Sequence, residues 1–318
     1  MKKNLKIMDN NTTPKIVIGL STVLEICWSI DENDQEKNYA KKQADLRVEV
    51  GGSSYNILKA MIKQGYSPNF VQFSGGNESD YFGYLLKNTL VIDGIQTTTI
   101  PCFSATRVSS INRTKQSNGK VLENVYENKY SINSNLFEEH YDNLKSALSG
   151  FDWKILSGIK DSNEENRLLT DNFGKDSNNV LIPKIDLIKA NHWKKIVSIA
   201  DIIFLNKIEF ESSGMSIKEY HELGLPLLVI TNSDKGGEFS FNGQHQKYEA
   251  FNYGFSEIYE TGAGDWFAAS TCTSLIRNNI LKVREAGFEN IKEAIGYASR
   301  IAGIKIGTPG ASNGPSSI

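Results

Sequence analysis

One carboxylate, delivered by a bend of small residues, is the strongest chemical signal in this chain: Glu260-Thr261-Gly262-Ala263-Gly264-Asp265-Trp266-Phe267-Ala268-Ala269. Two glycines with one alanine between them let the backbone approach a ligand closely. The apolar residues that follow (Phe267, Ala268, Cys272, Leu275, Ile276) predict a buried helix that begins at the bend. Such a helix turns free N–H groups and the positive end of its dipole toward the loop, which makes an anion site suited to phosphate. Asp265 in the first turn then sets a second negative group beside the anion. Two negatives at one helix end bind poorly as a static pair. They make sense if the aspartate takes a proton from a hydroxyl that attacks the phosphate. Aspartate is also common in first turns as a cap and dipole residue, so the segment must be weighed with what accompanies it.

Three further clusters accompany it. Gly51-Gly52-Ser53-Ser54-Tyr55-Asn56 leads into a helix, where paired glycines admit a ligand and Asn56 offers both donor and acceptor to sugar hydroxyls. A glycine-rich turn reads equally well. Asn206-Lys207-Ile208-Glu209 follows an apolar strand, and oxygen ligands there suit Mg²⁺ held partly through water. The same spacing also describes a helix cap with glutamate at its third position. Thr231-Asn-Ser233-Asp-Lys-Gly236 ends another strand, where nucleotide phosphates settle in open α/β sheets, or where a plain turn would stand.

The elements that must position these residues alternate. Short apolar runs at 15–20, 70–73, 154–158, 180–183, 202–205 and 227–231 read as buried parallel strands. Amphipathic stretches such as Ser54–Gln64, Asp80–Lys87 and Asn191–Ala200 separate them, which predicts a parallel sheet covered on both faces. Residues 238–245 predict a hairpin turning at Asn242-Gly243. Two polar, partly alternating segments, about 26–50 and 97–130, predict a small β flap built from two insertions. Residues 1–14 read as a frayed tail.

With 318 residues, 39% hydrophobic, 23% charged and a net charge of −2, the composition is that of an ordinary globular chain. No basic patch with interleaved aromatics points to nucleic acid, and no apolar run reaches the ~18 residues of a membrane span. Cys27, Cys102 and Cys272 lie far apart without CxxC spacing and read as core residues in a reducing cytoplasm. The four histidines share no metal spacing.

In order, these residues resemble the ribokinase-like carbohydrate kinase family of the phosphofructokinase-B type. The correspondence runs through Gly51-Gly52 with Asn56, then Asp80 and Gly83, then Asn206 with Glu209, then Thr231 with Gly236, and finally Gly262 to Asp265. Ala298-Ser-Arg-Ile-Ala-Gly303 followed by Thr308-Pro-Gly-Ala311 is similar to the family's closing helix and strand. The resemblance covers about 15–311. It implies a three-layer α/β/α fold with a mainly parallel sheet, a small β lid, and transfer of the ATP γ-phosphoryl to a hydroxyl.

By that resemblance Asp265 is the general base, held anionic by the helix dipole. Gly262, Ala263 and Gly264 form the anion hole. Asn206 and Glu209 steer Mg²⁺ and phosphates, while Thr231, Ser233, Gly236 and Ser299 approach the nucleotide. Gly51, Gly52 and Asn56 hold the acceptor. A monovalent cation is common in the family, and an exposed lid often supplies a dimer edge.

Several positions depart from the pattern. Glu25 stands one residue late for the usual acceptor-binding aspartate. Ser233 replaces the middle glycine of the nucleotide loop. Tyr259 precedes the Gly-Ala-Gly-Asp box, and Trp266 follows the aspartate where a small residue is commoner. Arg107 either reaches a phosphate on a phosphosugar or is a solvated lid charge.

A dinucleotide fold would need glycine where Phe267 stands, and no P-loop is present. The alternatives left open are a nucleoside kinase of the same fold and a catalytically silent binding relative.

Overall fold

In the computed structural model the described residues are 14–315, apart from 21, 31–44, 76–79, 116–120, 129–130 and 161. The expected N-terminal tail thus lies outside them except for Pro14, as does much of the first flap segment. In chain order the strands are β1 (Ile16–Leu20), β2 (Val23–Ile30), β3 (Asp45–Gly51), β4 (Asn69–Gly75), β5 (Thr97–Phe103), β6 (Val108–Lys115), β7 (Val121–Glu127), β8 (Trp153–Ile159), β9 (Asn178–Pro183), β10 (Ile202–Asn206), β11 (Leu227–Thr231), β12 (Gly237–Phe241) and β13 (Gln244–Tyr248). The helices are α1 (Ser53–Lys63), α2 (Tyr81–Ile92), α3 (Ser134–Ala147), α4 (Asn163–Asn172), α5 (Ile185–Ile188), α6 (Trp193–Ile199), α7 (Lys207–Ser212), α8 (Ile217–Glu222), α9 (Ala263–Arg277) and α10 (Phe288–Lys305).

The six short apolar runs all become strands of one nine-stranded sheet, in the order β13-β12-β11-β10-β9-β8-β1-β4-β5. Their side chains alternate between two cores, which is why the runs are continuous rather than patterned. Ile202 and Phe204 face a core shared with α1, α9 and α10, whereas Ile203 and Leu205 face one shared with α3, α4, α6 and α8. The strands from β5 to β11 pair in parallel, and the Asn242-Gly243 hairpin closes the far edge antiparallel.

The second sheet is four-stranded, in the order β3-β2-β6-β7. One expectation needs correction here. The Thr97–Ile100 segment belongs to the edge of the large sheet, paired with β4, and not to the flap. Its Thr-rich alternation reflects an edge strand buried on one side only, with Ile100 and Cys102 turned inward. The expected closing strand is also absent: after α10 the chain turns at residues 306–312 without pairing.

Two sets of polar contacts fix the parts of the site. Asp80 ties the two sheets together. Its carboxylate accepts from the Gly83 N–H (3.1 Å) at the start of α2, and from the Thr106 N–H (2.9 Å) and hydroxyl (2.5 Å) just before β6. Thr106 Oγ1 in turn accepts from Gly75 N–H at the end of β4 (3.0 Å). Helix α9 is buried on every side from Trp266 to Ile276, as a helix with only small polar residues among its apolar ones allows. Its few polar side chains are met by α1: Thr273 donates to Gln64 Oε1 (2.6 Å) and Gln64 Nε2 donates to Ser270 (3.1 Å). Unmet, these groups would each cost about 1–3 kcal/mol.

From β1 the chain builds outward to β4 and β5, then returns to β8 on the other side of β1. That reversal opens a crevice at the carboxyl ends of β1 and β8, where open α/β sheets bind ligands. Replacing Asp80 by Ala should lower unfolding free energy by about 1–3 kcal/mol, measured by urea denaturation. A variant as stable as the parent would show that the Asp80 contacts do not join the sheets.

Candidate active site

Helix α9 begins from Gly262, which holds the left-handed conformation (φ 83, ψ −6). A Cβ there would also come within 2.4 Å of the Ala311 carbonyl oxygen. The Ala263 N–H is spent on the Glu260 carbonyl (3.1 Å), so Ala263 does not contribute a free donor to an anion hole, contrary to expectation. The N–H groups of Gly264 and Asp265 have no acceptor among the described residues. A Cβ on Gly264 would meet nothing within 4 Å, so the protein itself has no packing reason for glycine there. Trp266, unusual after the aspartate, is fully buried and donates its indole N–H to the Ala311 carbonyl (3.0 Å).

Asp265 lies against α1. Asn56 Nδ2 donates to Asp265 Oδ2 (2.7 Å), and the Ser53 side chain also bonds the carboxylate. Burial pushes the Asp265 pKa up to about 6, partly offset by Asn56, Lys184, Ser53 and Lys305. Desolvation is the largest of these causes, so the carboxylate is a stronger base than an exposed aspartate while still ionised near neutrality. Asn56 touches this carboxylate rather than only an acceptor, and its own Oδ1 is buried without a hydrogen-bond partner.

On one side of Asp265 the small sheet approaches. Gly52 (φ 90) starts α1, and a Cβ on Gly51 would stand 2.0 Å from the Glu25 carboxylate. Gly51 is glycine because buried Glu25 lies over it. Ser54 and Ser157 share a hydrogen bond of 2.8 Å that carries α1 to the end of β8. There a cavity of about 220 Å³ opens between β1 and β8. Leu20, Phe73, Phe103 and Ile132 form its apolar wall, and Thr22, Arg107, Ser157, Lys160, Ser162 and Glu165 supply polar groups.

Thr22 Oγ1 is buried there without a partner. Arg107 is not a solvated lid charge: it is 8% exposed and pairs with Glu127. Burial raises the Glu165 pKa to about 7. Lys160 and Glu165 escaped sequence reasoning because Ser162–Glu165 reads as helix-capping spacing, and Ser162 does cap Glu165 N–H (3.0 Å).

A second cavity of about 580 Å³ is lined by Asn206, Thr231, Ser233, Gly236 and Ser299, all expected at a nucleotide, and by Gly264 of the expected anion hole. Tyr248, Phe251 and Phe267 add an aromatic wall that no motif announced. Ser233 sits at φ 49, the region glycine favours, which explains why glycine is commoner at this loop position. Gly236 (φ 78) passes so close to Tyr248 that a Cβ would lie 2.1 Å from its carbonyl oxygen. The Ser299 hydroxyl donates to the Glu249 carbonyl (2.8 Å) and so helps hold the cavity wall.

A profile of pfkB family carbohydrate kinases matches residues 20–318. The chain belongs to that family. Among solved structures, ribokinase from Giardia lamblia superposes with a TM-score of 0.68 at 19% identity, covering 94% of this chain and 95% of that one. The Methanocaldococcus jannaschii nucleoside kinase gives 0.70 at 17% identity, covering 96% and 95%. Phosphofructokinase-2 from Escherichia coli gives 0.69 at 12% identity, covering 95% and 96%. At such identities the superpositions establish the ribokinase-like fold. No curated protein sequence matches the chain significantly.

The donor set of this pfkB-family chain fits Mg²⁺ in a limited way. Asn206 Oδ1 accepts from Glu209 N–H (2.9 Å) and Glu209 Oε2 accepts from Asn206 N–H (2.8 Å), a reciprocal cap. Glu209 keeps one carboxylate oxygen for water or metal, and burial raises its pKa. One carboxylate with waters and phosphate oxygens is an ordinary Mg²⁺ environment. Among the described residues no group of three or more His, Cys, Asp or Glu could hold a metal alone.

The two glycines of the bend should separate in experiment. Gly264→Ala should keep the melting temperature within about 2 °C yet weaken nucleotide binding at least tenfold by calorimetry. Gly262→Ala should itself lower stability by roughly 1–2 kcal/mol from its backbone conformation, and more from the clash. Unchanged nucleotide affinity in Gly264→Ala would remove the ligand-approach role from that amide.

Proposed function

We propose that the protein transfers the γ-phosphoryl of ATP to a hydroxyl of a small sugar or sugar-like acceptor, with Asp265 as general base. The observation that carries this is the placement of Asp265. It follows Gly264, which lines the larger cavity, and it binds Ser53 and Asn56 of α1, whose Ser54 meets Ser157 in the smaller one. ATP would occupy the larger cavity, with its base against Phe251 and its phosphates toward Thr231, Ser233 and the Gly264 N–H.

Glu209, with Asn206, would hold Mg²⁺ through water, and the ion would neutralise charge on the donor phosphates. The acceptor would lie against Gly51, Gly52 and Glu25, with Asn56 Oδ1 taking a hydrogen bond from one of its hydroxyls. Asp265 removes the proton as the acceptor oxygen attacks phosphorus. A loose transition state asks more for placement and charge neutralisation than for strong basicity. The small sheet, as a lid, would exclude competing water.

Arg107 and Lys160 at the smaller cavity favour an acceptor carrying an anionic group, so phosphosugars head the list of candidates. The apolar wall of Leu20, Phe73 and Phe103 favours a second reading, a nucleoside acceptor.

A phosphorylation screen over sugars, phosphosugars and nucleosides with ATP and Mg²⁺ tests the proposal. Turnover of none of them, with ATP bound, would leave a binding relative instead. Asp265→Asn should reduce kcat by about 10²–10⁴-fold while ATP affinity and fold persist. Near-normal turnover in that variant would refute the base assignment.

The pH dependence has a defined sign. The base acts only when ionised and its pKa is raised to about 6, so kcat/KM should fall as pH drops through about 6 and level off above it. Asn56 hydrogen-bonds the charged form and lowers that pKa, so Asn56→Ala should move the acid limb to higher pH. An acid limb that stays in place would separate Asn56 from the ionisation that governs turnover.

A further inference from the structure

Granting phosphoryl transfer from ATP as proposed above, we infer that Lys184 is a catalytic cation whose ammonium binds the phosphoryl group in flight. Lys184 follows the last residue of β9 and extends (φ −96, ψ 157) before α5 begins. Its N–H donates to the Ile159 carbonyl at the end of β8 (3.0 Å), which pins its backbone across the neighbouring strand. Strand β9 lies between β8 and β10. Lys184 therefore stands on the carboxyl edge of the sheet between the crevice at β8 and the Asn206–Glu209 cap after β10.

From that position its charge acts on Asp265, and α5, which follows it directly, packs against α7, the helix capped by Asn206 and Glu209. The side chain is half-buried, yet its ammonium makes no ion pair or hydrogen bond among the described residues. The other lysine that acts on Asp265 is placed differently: Lys305 is fully buried and spends its ammonium on the Thr308 carbonyl (3.2 Å). Lys184 thus keeps unspent donors at the sheet edge from which its charge acts on Asp265.

In the transfer, a lone pair of the acceptor oxygen forms the new P–O bond, and the acceptor proton passes to Asp265. The bond to the β-phosphate oxygen breaks, and its electron pair leaves with ADP. Charge spreads over the three equatorial oxygens of the moving group. A lysine ammonium offers three donors and a compact charge to such oxygens. Lys184 acts by hydrogen bonding and charge.

The test compares Lys184→Ala, Lys184→Met and Lys184→Arg with the parent, using calorimetric binding of Mg²⁺ with ADP and with a non-hydrolysable ATP analogue, beside kcat. Thermal melting identifies folded variants, and the methionine variant keeps the stem if alanine loosens it. The expected result is an analogue affinity reduced at least tenfold with ADP affinity changed less than threefold. In addition kcat should fall about 10²-fold and return at least tenfold in Lys184→Arg. An analogue-to-ADP ratio within threefold of the parent, or equal loss of both ligands, overturns the assignment of Lys184 alone. A parent that binds neither nucleotide overturns it together with the kinase function.

Discussion

A hydrogen bond between residues 209 positions apart, from Asn56 to Asp265, is the constraint on which the site depends. It joins the first turns of α1 and α9, each of which starts from a glycine at positive φ. Burying a carboxylate is costly without donors, and Asn56 and Ser53 supply them. What remains after this offset is a base with a pKa of about 6, ionised near neutrality but not inert. The deeper contacts of Gln64 with Ser270 and Thr273 hold the two helices in the register that the bond needs.

Glycine is used for different physical ends at the site. Gly262 and Gly236 sit at positive φ with backbone carbonyls pressed close. Gly51 clears a path for the Glu25 carboxylate. Gly264 alone of these meets nothing, so its missing side chain leaves room for something the protein does not provide. Helix caps likewise serve more than one end. Asn206 and Glu209 satisfy one another's N–H groups, which fixes both side chains at the edge of the larger cavity. Capping and ligand holding are therefore compatible uses of the same residues.

Membership of the pfkB family explains why short boxes far apart in the chain recur in order. Each box lies at a strand end or a helix start along one edge of the large sheet. The reversal of strand order about β1 opens the crevice that holds the smaller cavity, while the larger one lies along the ends of β10 and β11, with Gly264, the neighbour of Asp265, in its lining. Asp80 belongs to the same pattern but works on the scaffold, since its carboxylate is fully engaged in joining α2, β4 and the start of β6.

The local sequence by itself determined the six central strands, the Asn-Gly hairpin and the buried helix after Gly262, because hydrophobic periodicity and turn chemistry act over a few residues. Asn206, Thr231 and Gly236 joined Asp265 as site candidates only through the ordered resemblance of their boxes to a known family. Tertiary structure alone decided which sheet received Thr97–Phe103, since a Thr-rich edge strand carries the same alternation as a flap strand. It decided that Ala263 has no free N–H, that Arg107 is buried, and that Lys160 and Glu165 line the smaller cavity. The reason is physical: proton affinity, burial and the partner of a donor are set by atoms that are neighbours in space, and those neighbours are scattered along the chain.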